Sequence, residues 1–411
     1  MKLYIDPGTG SMLFSLAVGL VSVIWFGARK LYMKMKYLTP GKKDTSKNTF
    51  PLVIFSDDKR YWKFFEPVCR ELDRRGVETV YMTESGDDPV FTCGYPHVKG
   101  EFIGAGNKAY GKLNLLNATI LLSTTPGLDV YQWKRSNDVK CYIYLPHATN
   151  AMTTHKMFGL DFYDVLLSSG QYQIDMIRKL EKLRNEPEKE MVLVGIPYMD
   201  EIAERIEKYT SNKSDETVVL LAPSWGKSAA LTRFGSRIIK NLIDSGYHII
   251  IRPHPQSFVS ETQMIESLMN EFPESKQLEW NRDNDNFEVL NRSDILISDF
   301  SGTVFEFALA FDKPVICVDT DFDDSQYDSC WLDEPNWSIA TLPKLGKILK
   351  EEDLPRLRNI IDECLTDERY KQSRHEVQEE AWIYKGEGAV RVVDYLEQKY
   401  RDITGEEQKN V

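Results

Sequence analysis

Two histidines occupy positions suited to proton transfer. His147 closes the run VKCYIYLPH (139–147) and His254 lies at the end of YHIIIRPHP (247–255). An imidazole of ordinary pKa, near 6.5, can take a proton from an attacking hydroxyl at neutral pH. Pro146, Pro253 and Pro255 fix the backbone beside both rings, and Arg252, beside His254, reads either as a phosphate ligand or as a solvated side chain. His97, His155, His248 and His375 lack this placement and receive no role. A second group lies in ILISDFSGTVFEFALAFDKPVICVD (295–319). There an apolar run meets Asp299, then Ser301, Gly302 and Thr303 open a helical period. Free N–H groups at such a turn bind phosphate, with Asp299 orienting it. The alternative is a plain cap, with Thr303 as N-cap and Glu306 three residues on. A cap accounts for Thr303 and Glu306 but not for Asp299, Ser301 and Gly302 together. Asp319 and Asp321 have a D-x-D metal form. They sit inside the acidic stretch DTDFDDSQYD, which reads as a solvated loop, so neither metal nor cofactor is expected. The chain has no G-x-G-x-x-G after a first strand, no P-loop and no G-x-S-x-G, which argues against NAD enzymes, P-loop NTPases and serine hydrolases.

These residues sit at the ends of short apolar runs. The runs are 51–57, 78–82, 118–127, 139–147, 164–170 and 190–197, then 216–226, 247–255, 294–302 and 313–319. Between them lie helix-period stretches such as 61–75, 232–245 and 304–311. β-branched runs alternating with helices predict parallel sheets covered on both faces. Two series predict two doubly wound, Rossmann-like domains, 48–212 and 213–345, joined by a polar linker at 208–215. A charged helical segment without further strands follows over 346–411. Ligands of such sheets bind beyond the carboxyl ends of the strands. That rule places Thr149, Ser224, Trp225 and Lys227 as further contacts in a cleft between the domains.

The chain has 411 residues and a net charge of −12, with 63 acidic against 51 basic side chains. This argues against a nucleic-acid partner, which requires a basic face. The six cysteines show no metal or redox spacing and read as buried free thiols in a reducing compartment. The first 47 residues differ from the rest, with eight basic and two acidic side chains. Residues 7–28 carry no charge, and about 20 apolar residues are enough to cross a bilayer. The basic residues follow this stretch, unlike those of a cleaved signal. Segment 1–47 therefore reads as a single-pass anchor with the body in the cytoplasm. A helix lying in the interface, or tucked into the body, is the alternative.

The same motifs carry a family resemblance. LPHAT (145–149), GIPYMDEI (195–202), LLAPSW (220–225), IIIRPHP (249–255) and ISDFSGTVFEFALAFDKPVI (297–316) occur in the order of landmark segments in the CDP-glycerol glycerophosphotransferases. KGEGAVRVVDYL (385–396) is similar to a sixth. The chain from about 140 to 395 thus resembles this teichoic-acid polymerase and primase family, whose fold is GT-B-like. The resemblance implies that an acceptor hydroxyl attacks the β-phosphorus of CDP-glycerol, or of a related CDP-alcohol, and that CMP leaves. It implies His147 as the base and His254 as the phosphate ligand or acid. Ser301, Gly302 and Thr303, with Asp299 and Arg252, would hold the donor phosphates. The acceptor would be a lipid-linked or glycan hydroxyl at the membrane. Ala148, Met152 and Tyr198 depart from the family's Gly, Lys and Arg. Two other functions share such a cleft: a GT-B nucleotide-sugar glycosyltransferase or epimerase, and a non-catalytic scaffold.

The anchor is tested by extraction. Membranes washed with carbonate and high salt should retain the protein. Full release into the supernatant would mean a peripheral protein held by charge.

Overall fold

A computed structural model describes residues 49–209, 216–283 and 285–405. The apolar runs become parallel strands. The first sheet contains β1 (Phe50–Ser56), β2 (Thr79–Thr83), β3 (Val98–Phe102), β4 (Ala118–Ser123), β5 (Val139–Tyr144), β6 (Val165–Ser168) and β7 (Glu190–Leu193). Their order is β3-β2-β1-β4-β5-β6-β7. The second sheet contains β8 (Val218–Leu221), β9 (His248–Ile251), β10 (Leu278–Trp280), β11 (Ile295–Ser298), β12 (Val315–Val318) and β13 (Lys347–Leu349). Its order is β10-β9-β8-β11-β12-β13.

The strands read as unbroken apolar runs because both faces are covered. On β1, Leu52 and Ile54 face one core with Phe65 and Val68, while Val53 and Phe55 face another with Tyr142 and Tyr144. On β11, Leu296 and its neighbours Ile295 and Ile297 divide the same way. This is the two-residue alternation of a strand. In each sheet the strand order reverses at one place, between β1 and β4 and between β8 and β11. Ligand crevices of open α/β sheets lie at such points. A further apolar cluster joins the domains. Phe64, Tyr172, Tyr198 and Met199 from the first pack with Leu220, Phe305, Phe307 and Leu309 from the second.

Three strands escape the sequence pattern: β3, β10 and β13. β13 is a correction, since the segment after 345 was expected to hold no strand. It is a three-residue edge strand pairing with β12, too short to show a period. The rest of that segment divides between the domains. The helix Leu357–Thr366 joins the second core through Leu357, Ile360 and Ile361. The helix Gly388–Thr404 returns to the first, where Val392, Val393 and Leu396 pack with Ile54 and Phe65. The stretch 232–245 is two helices, Ala230–Phe234 and Ser236–Asp244, broken at Gly235 with its positive φ of 45°. The predicted anchor lies outside the described residues, as do residues 210–215 of the linker. Among the described residues no helix is long and apolar enough to cross a membrane.

Candidate active site

A cavity of about 750 Å³ opens between the carboxyl ends of the two sheets. His147 and Ala148 reach it from the loop after β5, and Arg252 and His254 from the loop after β9. Ser224, Trp225 and Lys227 line it after β8, and Ser301, Gly302 and Thr303 after β11. The structure thus brings together most of the residues that the sequence singled out. Two stand off the lining. Asp299 is fully buried behind its turn, and Thr149 is 2% exposed. The Thr149 carbonyl accepts the hydroxyl of Tyr172, so Thr149 is corrected from a cleft contact to a support of the loop.

Asp299 organises the second-domain side. Its Oδ1 accepts the Ser224 amide at 2.8 Å and the Ser301 amide at 3.2 Å, and its Oδ2 accepts the Ala230 amide at 2.8 Å. One carboxylate therefore ties the loop after β8 to the turn after β11. It is a clamp behind the site, orienting the turn without itself lining the cavity. Burial pushes its pKa up to about 6, against the pull of these amides. The capping box does not form: Gly302 is the N-cap, and Glu306 accepts instead from Asn286 Nδ2 at 2.6 Å. The helix Thr303–Phe305 runs straight into a π-helical turn, Glu306–Ala310. Of the three amides expected to face phosphate, that of Ser301 is taken by Asp299 and that of Thr303 lies 3.4 Å from Ser301 Oγ. A Cβ on Gly302 would stand 3.1 Å from Asn150 Oδ1, a buried acceptor without a partner. The first domain's loop therefore closes directly over this turn.

The histidines sit in contrasting settings. His254 Nδ1 accepts the Gln256 amide at 3.1 Å, which leaves the proton of a neutral ring on Nε2. Its ring lies 6.3 Å from that of Trp225. His147 packs against Tyr61 and Phe64, with ring centroids 5.6 and 5.5 Å away, and its Nδ1 lies 2.9 Å from Thr124 Oγ1. Burial first, then the Lys63 charge, lowers the His147 pKa to about 4. Burial and the cations Arg60, Arg252 and Lys63 lower His254 to about 4 as well. Both rings are therefore neutral at physiological pH, below the ordinary range that sequence alone suggests.

Sequence reasoning missed the cations of the first domain. Arg60, Lys63 and Lys156 line the cavity with Lys227 and Arg252, against two carboxylates, Glu306 and Asp323. A cationic cavity in a chain of net charge −12 is built for an anion. Lys63 Nζ donates to Tyr198 Oη at 3.1 Å and Asn286 Oδ1 at 3.2 Å, and Tyr198 donates to the same Asn286 oxygen at 2.9 Å. Tyr198 thus has a cation against it from a neighbouring helix, Trp62–Arg74. Arg252 is partly committed, bonding Asn281 Oδ1 and, at 2.7 Å, the Asp283 carbonyl. Tyr144 and His155 also line the cavity, although nothing in their spacing marks them. The acidic stretch at 319–324 holds no metal cluster; among the described residues there is none.

Residues 133–398 match the family described as CDP-glycerol:poly(glycerophosphate) glycerophosphotransferase. No curated protein matches the chain. Among solved structures, the wall teichoic acid polymerase TagF superposes with a TM-score of 0.61 at 17% identity, over 95% of this chain and 98% of that one. A TagF variant soaked with CDPG gives 0.58 at 16%, over 95% and 98%. The S. aureus MnaA–UDP complex gives 0.57 at 13%, over 88% and 100%. At these identities the likeness shows the fold, a GT-B-like pair of domains.

Asp299→Asn places an amide against three N–H groups. It should lower the melting temperature by several degrees and weaken nucleotide binding, because charge-assisted bonds are worth about 1.5–3 kcal/mol. Ser301→Ala should weaken binding with a smaller loss of stability. Calorimetry and ligand titration measure both. Normal binding by Asp299→Asn would mean that the clamp does not shape the site.

Proposed function

We propose that this chain, which belongs to the CDP-glycerol:poly(glycerophosphate) glycerophosphotransferase family, transfers glycerol phosphate from CDP-glycerol to an acceptor hydroxyl of a cell-envelope polymer. CMP leaves. A related polyol phosphate on CDP fits the same description. The observation that carries this reading is the cationic cavity that takes one neutral imidazole from each domain.

His147 accepts the acceptor hydroxyl's proton as oxygen attacks the β-phosphorus. His254, with its proton on Nε2, donates to a phosphate oxygen. Lys63, Arg252, Lys227 and the Ser301–Thr303 turn neutralise charge that develops as CMP departs. Positioning and charge stabilisation are what phosphoryl transfer mainly requires of a protein. Trp225, at the rim and 39% exposed, offers a flat face to the donor. The acceptor is a lipid-linked or glycan hydroxyl, and residues 7–28 would hold the cytoplasmic body at the membrane where such acceptors reside. MnaA, whose structure was solved with UDP, shows why a nucleotide sugar remains the competing donor class: the two share the fold.

A thermal-shift series of CDP-glycerol, CDP-ribitol, CDP, CMP and UDP-sugars names the donor. A CDP-alcohol should give a larger shift than its free nucleotide; a shift confined to UDP-sugars would overturn the reading. His147→Ala should cut kcat by about 10²–10⁴-fold with donor affinity kept, whereas His254→Ala should weaken the donor too. With a His147 pKa near 4, kcat should hold from pH 8 to about 5 and fall as the ring protonates below that. Asp299, near 6, should protonate earlier, so the donor KM should rise below about pH 6 while kcat is still level. An acid limb of kcat centred on pH 6–7 would contradict the buried setting of His147.

A further inference from the structure

Lys63 of the first domain and Glu306 of the second both line the cavity, and one side chain lies between them. Asn286 Oδ1 accepts from Lys63 Nζ at 3.2 Å, and Asn286 Nδ2 donates to Glu306 Oε2 at 2.6 Å. Tyr198 closes the group. Its hydroxyl accepts from Lys63 Nζ at 3.1 Å and donates to the same Asn286 oxygen at 2.9 Å. Tyr198, Asn286 and Glu306 are 3%, 6% and 9% exposed, so water has little room to replace these links. Lys63 lies on the helix Trp62–Arg74 and Tyr198 on the helix Pro197–Lys208. Asn286 immediately precedes the helix Phe287–Arg292, and Glu306 opens the π-helical turn Glu306–Ala310. The group therefore forms only where the two domains meet.

An ammonium can only donate, so the Tyr198 oxygen accepts from it and passes its own proton to Asn286. The Asn286 oxygen then faces two donors, and its nitrogen faces a carboxylate. Turning the amide over would set donor against donor and oxygen against oxygen, so its orientation is fixed. Lys63 has three N–H groups, and two are in use, which leaves one for the cavity. A direct pair with Glu306 would use up that proton and cancel the charge. Holding the two at opposite ends of an amide weakens their attraction with distance and gives Glu306 a partner of its own. Burial lowers the Lys63 pKa. The charges of Glu306 and Asp285 oppose that fall, and those of Arg252 and Arg205 add to it.

We propose that Asn286 is a positioning residue of the anion site: it seats the first-domain Lys63 ammonium against the second domain, keeps it from pairing with Glu306, and leaves one N–H for a phosphate oxygen. The ligand class is a phosphate or diphosphate group. The inference rests on the reading of the cavity as a phosphate site, but not on which alcohol or sugar the diphosphate carries. Asn286 acts through Lys63 rather than on the ligand. Because Lys63 and Asn286 belong to different domains, an opening of the cleft that parted them would withdraw this cation from the phosphate.

The test is calorimetric titration of the full-length protein with inorganic pyrophosphate. Asn286→Leu keeps the size of the side chain and frees Lys63 to pair with Glu306. It should weaken binding by about 10–100-fold, the range of one charge-assisted hydrogen bond. Asn286→Ser, too short to reach both partners, should behave alike if the first variant does not fold. Adding Glu306→Gln should restore most of the affinity, and by a larger factor than Glu306→Gln raises it in the wild type. In a Lys63→Met background, Asn286→Leu should cost almost nothing more, because the two residues act as one unit. Unchanged affinity in Asn286→Leu, no rescue by Glu306→Gln, or an equal loss in the Lys63→Met background would overturn the inference. A wild type that ignores pyrophosphate would overturn it together with the phosphate reading beneath it. The expected pattern in a protein that uses UDP-sugars and ignores CDP-alcohols would support the inference and overturn the proposed function.

Discussion

The Asp299 carboxylate holds the second-domain half of the site together, and much else depends on it. Loops after β8 and β11 belong to neighbouring strands, yet their conformations are not fixed by the sheet. Three backbone amides converge on one buried acid and fix both. A buried carboxylate is tolerated because its oxygens are satisfied. The consequence is geometric: Ser224, Trp225, Lys227, Ser301 and Gly302 are presented to the cavity from a frame that does not itself touch it.

The first domain solves the opposite problem. It must bring imidazole and ammonium groups into a cleft floored by apolar side chains. Phe64 and Tyr198 belong to the cluster that joins the domains, and both contact the Lys63 ammonium face-on at about 5 Å. The same packing desolvates His147 and keeps it neutral. Burial and the Lys63 charge both disfavour protonation of His147, while burial also pulls the pKa values of Lys63 and Arg252 below their ordinary range, against their positive charge.

Much of this was legible in the sequence. Continuous apolar runs give away strands buried on both faces, and polar residues at their ends mark the side on which ligands bind. That logic finds His147, His254 and the Asp299–Thr303 turn. It fails where no period exists. β13 is three residues long, and β10 carries Glu279 between its buried ends. Lys63 looks like an ordinary polar residue of an amphipathic helix; its role comes from the distant Tyr198 and Asn286. His155 is eight residues from His147 in an unpatterned loop, and only the fold brings it against Tyr144. The capping reading of Thr303 and Glu306 failed for a related reason. Asn286, on another element, competes successfully for the carboxylate.

The central claim is that the cleft transfers a polyol phosphate from a CDP donor. Mass analysis of acceptor recovered after incubation with CDP-glycerol, and in parallel with UDP-hexoses, tests it most directly. The account predicts a mass increment of one glycerol phosphate, or a series of them, with one CMP released per increment. A hexose increment with UDP release, and none from CDP-glycerol, would contradict it.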